Sequence, residues 1–184
     1  MSKAVLISIR SGGCQKIMEG RKTIEVRKTR PKMDTPFKCY IYCTQSADIL
    51  WILKERERSL HPDKIADVFK AAKCGGAYRG NGKIIGEFTC NRVTNLFSNS
   101  RFWLDEDDVL HTCLSAAEMR KYANGANGLY GWHISNLRIY DQPRELREFY
   151  AVPNEVEVAL KVKPKPITRP PQGWRYVEEE LWKD

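Results

Sequence analysis

The chain has 184 residues, of which 42% are hydrophobic and 29% are charged, and its formal net charge is +8. This length corresponds to about one domain, and the composition excludes long disorder, collagen and a membrane protein. No segment approaches the roughly 18 apolar residues of a membrane-spanning helix. The opening apolar stretch is too short for a signal peptide because Arg10 follows it at once. We therefore expect a cytoplasmic protein without a membrane partner.

Strands dominate the first part of the chain. Runs of β-branched, aromatic and apolar residues predict strands at residues 3–9, 22–28 and 37–43. Residues 14–19 fit a short helix between the first two strands, and Gly20 supplies its stop. Residues 47–82 differ from these strands, and we expect a helical insertion there, with one helix near 49–57 and a second opened by His61-Pro62-Asp63.

Strands and short helices continue after this insertion. The pattern predicts strands at residues 83–94, 129–140 and 156–162. It also predicts a solvated acidic loop within 97–112, a helix opened by the capping box of Ser115 and Glu118, and a brief helix from about 141 to 150. Residues 164–184 form a proline-rich tail whose aromatic residues, Trp174, Tyr176 and Trp182, predict docking onto the body.

These elements predict an α+β fold of about six strands. Because successive strands lack full crossover helices, we expect a mixed or antiparallel, barrel-like sheet with short flanking helices. Residues 1–163 would form one domain that includes the 47–82 insertion, and residues 164–184 would form the tail.

The cysteines and histidines do not have the spacing of a metal site. None of the six cysteines belongs to a C-x-x-C pair, and the three histidines lie far from any paired cysteine. We therefore expect free buried thiols in a reducing compartment and neither a metal nor another cofactor.

Basic residues are concentrated near the start of the sequence. Residues 1–38 contain ten lysines and arginines and three acidic residues, a net charge of +7 (10 − 3). A positive field on one segment is typical of a protein that binds a polyanion. The alternative is a solvated basic edge that keeps the protein soluble.

The densest group of polar residues lies at the corner between the first helix and the second strand. Residues 20–28 read GRKTIEVRK, and period-two alternation places Thr23, Glu25 and Arg27 on one face. We expect these side chains to converge with Ser8 and Arg10 at the end of the first strand. A lysine, a carboxylate and arginines so placed could bind phosphate, or polarise a carbonyl and accept a proton. The alternative is an edge strand whose charges prevent aggregation.

Residues 6–10 (LISIR), followed by Ile17 and the G-x-K-T-x-E-x-R run of residues 20–27, resemble the ASCH domain signature of the PUA-like superfamily. Residues 82–88 and 130–134 agree with it as later strands, so the resemblance covers roughly residues 3–162. It implies a PUA-like mixed or antiparallel β-barrel with a cleft lined by the motif.

The resemblance also implies a function. The superfamily is associated with RNA or modified-nucleotide recognition, so we expect RNA or a nucleotide as the partner. The predicted binding residues are Ser8, Arg10, Lys22, Thr23, Glu25, Arg27, Trp132 and His133. Some members look like enzymes that hydrolyse acetylated cytidine or cleave RNA. Lys22 matches the lysine of the small amidohydrolases, but Glu25 occupies the place of their threonine.

Three functions therefore remain open. The first is a binding module for RNA or a modified nucleotide. The second is a metal-independent hydrolase in which Lys22 stabilises charge and Glu25 acts as a base. The third is a partner-binding protein that docks through the insertion or the tail.

Two aromatic residues of the strand at 129–140 have both a structural and a functional interpretation. Trp132 is the aromatic residue that we favour for base stacking, and His133 is a candidate acid. Because neighbouring strand residues face opposite ways, only one of the two is expected to line the cleft easily. The alternatives are a core tryptophan and a structural histidine.

Overall fold

A mostly antiparallel sheet organises the chain in the computed structural model, which describes residues 2–55, 65–98, 101–102 and 106–179. The strands are β1 (Lys3–Ile9), β2 (Ile24–Arg27), β3 (Phe37–Cys43), β4 (Trp51–Leu53), β5 (Ala77–Arg79), β6 (Ile84–Ser98), β7 (Arg101–Phe102), β8 (Gly128–Arg144) and β9 (Trp174–Glu178). The helices are α1 (Ser11–Met18), α2 (Ile65–Lys73), α3 (Glu106–Thr112), α4 (Ala116–Ala123) and α5 (Glu155–Ala159), and Leu146–Glu148 forms a 3-10 turn. The predicted α+β class is confirmed.

The main sheet has the order β2-β8-β6-β3-β1-β9, and β7 pairs with β6 outside this path. Only β1 and β3 pair in parallel, with Val5 opposite Cys39, among the strand pairs that the structure describes. Six of the seven residues of β1 are buried, because the strand lies between β3 and β9 and is covered on both faces. The predicted strands at 3–9 and 37–43 are confirmed.

The sheet is not closed into a barrel, so the prediction of a barrel is wrong on this point. Its two edges, β2 and β9, share no backbone ladder among the described residues. Side chains join the edges instead. Trp174 Nε1 donates a 2.9 Å hydrogen bond to Thr29 Oγ1, and the backbone N–H of Lys32 donates to the hydroxyl of Tyr176 at 2.6 Å.

Four elements differ from the predicted ones. The brief helix predicted from about 141 to 150 is instead the end of β8, up to Arg144, followed by the 3-10 turn of Leu146–Glu148. Part of the predicted helix at 49–57 is strand β4, because it pairs with β5 in a separate two-stranded sheet. Part of the acidic loop is helix α3, whose acidic first residues favour a helix N-terminus. The predicted strand at 156–162 contains α5 instead, because the Asn154 side chain caps this helix and Glu157 completes the capping box.

The C-terminal segment runs along β1. Strand β9 pairs antiparallel with β1, with Ala4 opposite Val177, and the backbone N–H of Ser8 donates to the carbonyl of Gly173 at 2.9 Å. Trp182 lies outside the described residues, as do His61-Pro62-Asp63. The domain boundaries at 163 and 164 stay a prediction. No helix in the described ranges is long and apolar enough to cross a membrane.

Candidate ligand-binding cavity

A sharp corner carries the chain from α1 into β2. Gly20 has a φ of +73°, a left-handed conformation that glycine adopts without strain, and its backbone N–H bonds to the carbonyl of Ile17 at 3.0 Å. The backbone N–H of Lys22 then bonds to the carbonyl of Lys16. This turn places Lys22 just before β2 starts at Ile24. Lys22 therefore lies in the turn and not in the strand.

Glu25 lies between two cations. Its Oε2 is 3.3 Å from Lys22 Nζ, and its Oε1 is 2.9 Å from Arg27 Nη2. The side chains are only 8% (Lys22), 8% (Glu25) and 11% (Arg27) exposed. Removing the Glu25 carboxylate would leave two buried cations without a counter-charge.

Backbone carbonyls hold the two cations in place. Lys22 Nζ donates a 2.8 Å hydrogen bond to the carbonyl of Thr112, at the end of α3. Arg27 Nη2 donates to the carbonyl of Ser8 at 2.7 Å, and the Ser8 hydroxyl donates to the carbonyl of Pro171 at 2.6 Å. These bonds fix the triad of Lys22, Glu25 and Arg27 before any ligand arrives.

Two polar atoms of this triad make no hydrogen bond to any described residue. They are Glu25 Oε2 and Arg27 Nε, and both are buried. Buried polar groups are nearly always hydrogen-bonded, so such atoms call for an explanation. A ligand with an N–H or O–H donor would satisfy the carboxylate oxygen.

The triad lines a cavity of about 660 Å³ that lies between the two edges of the sheet. One wall is edge strand β2 with the end of β1, and another is residues 170–172, which lead into edge strand β9. The cavity lining carries four cations, Arg10, Lys16, Lys22 and Arg27, and one carboxylate, Glu25. Its net charge is therefore +3 (4 − 1), which favours an anionic ligand.

The cavity brings together five of the predicted site residues: Ser8, Arg10, Lys22, Glu25 and Arg27. Thr23, Trp132 and His133 do not line it. Thr23 is half-buried and makes backbone hydrogen bonds to His111 and Ile134.

Trp132 is fully buried. Its ring packs edge-on against Phe37 and Trp174, with centroid distances of 5.7 and 5.8 Å. It therefore anchors the core beneath β2 and β9, and its ring is not open to a base.

His133 faces β6 instead of the cavity. One ring nitrogen lies 3.1 Å from Thr94 Oγ1 and the other lies 3.3 Å from Arg92 Nη2. Burial and the positive charge of Arg92 lower the pKa of His133, while Asp108 acts in the opposite direction. The ring thus favours its neutral form.

Other cavity residues were not among the predicted ones. Tyr122 on α4 lines the cavity and is 38% exposed, with Lys28 Nζ 5.4 Å from its ring centroid. The sequence does carry a signal for Tyr122, because Met119 and Ala123 occupy the buried face of α4 and leave Tyr122 outside it. Thr112 and Pro171 reach the site only through tertiary packing.

The described residues contain no group of three His, Cys, Asp or Glu side chains that could hold a metal ion.

Comparison with known proteins identifies solved structures of similar fold. No family model matches the chain, and no curated protein matches it. An ASCH protein from Zymomonas mobilis superposes with a TM-score of 0.56 at 15% identity, over 96% of this chain and 88% of that one. Its Tyr-to-Phe variant gives a TM-score of 0.55 at 15% identity, over 97% and 92% of the two chains. The chain therefore has the ASCH-domain fold, as its sequence resemblance predicts.

Proposed function

We propose that this chain binds RNA or a nucleotide in the cavity between the two sheet edges. The observation that carries the proposal is Glu25, a buried carboxylate in a cavity of net charge +3, whose Oε2 is ion-paired with Lys22 but accepts no hydrogen bond from a described residue. Nucleotides combine phosphate groups with N–H and O–H donors on the base and ribose. A positive lining with one buried acceptor matches that combination.

Exposed basic residues continue outward from the cavity, and they favour a ligand longer than one nucleotide. Lys28, Arg30 and Lys32 follow β2, are exposed, and line a second depression of about 500 Å³ together with Tyr130. Lys28 also lies over the ring of Tyr122, which belongs to the cavity wall. This basic strip, residues 28–32, would follow the phosphate backbone of single-stranded RNA away from the cavity.

The proposal is tested by fluorescence anisotropy of a labelled single-stranded RNA. We expect Lys28→Ala and Arg30→Ala to weaken binding and to reduce its salt dependence by about one counterion each. Both side chains are exposed, so the fold survives the changes. Lys73→Ala and Arg79→Ala are matched controls, since these exposed residues lie on α2 and β5.

Cavity variants complete this test. We expect Lys22→Ala and Arg27→Ala to weaken binding, with thermal melts recorded beside the titrations to establish that each variant is folded. Unchanged affinity in folded cavity variants, or an affinity that does not change with salt, would contradict the proposal.

The same residues favour one second candidate function, a metal-independent hydrolase that acts as a ribonuclease or as a nucleoside amidohydrolase. Glu25 Oε2 makes no hydrogen bond to a described residue and lies 3.3 Å from Lys22 Nζ. The carboxylate would accept a proton from a ribose hydroxyl or from water, and Lys22 would stabilise negative charge on the reacting group.

Turnover in the presence of a chelator tests this second function. It should persist in the unmodified chain and disappear in folded Glu25→Gln, while Glu19→Gln, at an exposed carboxylate, retains it. Turnover that the chelator abolishes, or that Glu25→Gln retains, would reject the hydrolase.

A further inference from the structure

The N-terminus of α1 opens onto the cavity without a cap. Arg10 precedes the helix in an extended conformation, no side chain caps the helix, and its first turn contains no acidic residue. The first backbone N–H that bonds within the helix is that of Cys14, which donates to Arg10 at 2.9 Å. The N–H groups of residues 11–13 therefore lack an intrahelical acceptor. Of these residues, Gly13 lines the cavity.

Two cations flank this helix end. Arg10 lies immediately before α1, and Lys16 lies three residues after Gly13 on the same helix face. Neither side chain makes a hydrogen bond or ion pair within the described part of the chain. Uncapped N–H groups, the positive end of the helix dipole and these two cations form a site for a phosphate group.

A second observation points to a hydrogen-bond donor on the ligand. Glu25 is 6% exposed and lines the same cavity, and its Oε2 lacks a hydrogen-bond partner among the described residues. Lys22 and Arg27 balance the charge of this carboxylate, and its Oε2 can still accept a hydrogen bond from an N–H or O–H donor. The cavity therefore suits a ligand that carries a phosphate and a donor group together.

We infer that the cavity holds a ribonucleotide by its phosphate, which binds the N-terminus of α1 between Arg10 and Lys16. The base or ribose then donates a hydrogen bond to Glu25 Oε2. This inference rests on the proposed function. It adds which part of the ligand binds at each end of the cavity. A nucleoside without a phosphate should bind weakly.

Substitution of Gly12 gives a sharp test of the phosphate position. A Cβ atom at Gly12 would meet no other atom within 4 Å, so a larger side chain fits there. Gly12→Asp places a carboxylate in the first turn, where it favours the helix dipole and thus preserves the fold. The same carboxylate would repel a phosphate. Gly12→Asn has nearly the same shape without the charge and is the matched control.

Isothermal titration calorimetry of the full chain would compare four ribonucleosides, their 5′- and 3′-monophosphates, and inorganic phosphate. We expect at least one monophosphate to bind about 10- to 100-fold more tightly than its nucleoside, as charge-assisted hydrogen bonds predict. Gly12→Asp should lose most of this advantage and Gly12→Asn should keep it. Nucleoside affinity should be the same in both variants.

Three results would overturn the inference. In the first, a nucleoside and its monophosphate bind equally well, or Gly12→Asp and Gly12→Asn bind monophosphates alike. In the second, inorganic phosphate binds as tightly as the monophosphates, so the base and ribose contribute nothing to the affinity. Both results leave RNA or nucleotide binding intact. In the third, no nucleotide and no RNA binds, and the proposed function then fails with the inference.

Discussion

Trp174 Nε1 donates a 2.9 Å hydrogen bond to Thr29 Oγ1, and this bond joins the two edges of an open sheet. Trp174 belongs to β9, whereas Thr29 follows β2 by two residues. The rings of Trp132 and Tyr176 support Trp174, with centroid distances of 5.8 and 5.3 Å. The cavity lies beside this junction, because residues 170–172 form one of its walls.

We expect Trp174→Ala to destabilise the fold and to weaken nucleotide binding. Loss of the ring removes two aromatic contacts and the bond between the edges, at a cost of about 3 kcal/mol. Trp51→Ala is a matched control, since Trp51 packs on Phe69 and lies in the separate sheet of β4 and β5. Urea denaturation and nucleotide titration measure the two effects. A Trp174→Ala variant with unchanged affinity would show that the junction does not shape the cavity.

Substitution of Glu25 should destabilise the protein strongly. Glu25→Gln leaves Lys22 and Arg27 as buried cations without a counter-charge, a loss of about 3–5 kcal/mol. Glu19→Gln also removes a carboxylate, but its ion pair with Arg21 is exposed, so the expected loss is under about 1 kcal/mol. Equilibrium unfolding in urea compares the two variants. Similar losses in both would contradict the account of the buried triad.

Cysteine modification provides a footprint of the cavity. Cys74 is exposed, whereas Cys113 is half-buried and lines the cavity. Burial raises the pKa of the Cys39 thiol well above its usual value, so Cys39 should not react in the folded protein. We expect iodoacetamide to modify Cys74 first and Cys113 more slowly.

A nucleotide at ten times its dissociation constant should slow modification of Cys113 about tenfold by mass action and leave Cys74 unchanged. Mass spectrometry of tryptic peptides follows both sites. Equal rates at Cys113 with and without a nucleotide that binds would place that nucleotide outside the cavity.

Stability should fall as the pH is lowered through the range of His133. Burial and Arg92 lower its pKa in the folded state, so the unfolded chain, with a pKa near 6.5, takes up the proton first. The stabilising contribution of neutral His133 is thus present above about pH 6.5 and is lost as the pH falls toward the lower folded pKa. Thermal melts from pH 7.5 to 5 should show a smaller loss in His133→Gln. An identical loss of stability in both proteins would contradict the lowered pKa of His133.

Local sequence patterns predicted the elements whose determinants lie within a few residues. The apolar run of β1 and the capping box of Ser115 are examples, and both occur in the structure. The corner at Gly20 was also predicted from local sequence. For this reason five of the predicted site residues line the same cavity. The apolar residues from Val156 to Val162 predicted a strand, and this prediction was wrong. The Asn154 cap favours helix α5 instead, in which Val156 and Val158 are exposed.

Features that depend on distant partners could not be predicted in this way. The bond from Trp174 to Thr29 joins residues 145 positions apart, and this junction stands in place of the expected barrel closure. Trp132 has an aromatic ring of the kind that stacks on bases, yet Phe37 and Trp174 pack against this ring.

The most direct test of the central claim is an amide chemical-shift map of the full chain during titration with a short single-stranded RNA. We expect the largest changes at Gly13, Glu25 and Cys113, which line the cavity of net charge +3. Val158 and Lys161, which line a separate cavity of about 690 Å³ beside α5, should remain unchanged. Changes centred on Val158 and Lys161, or no changes at all, would contradict the central claim.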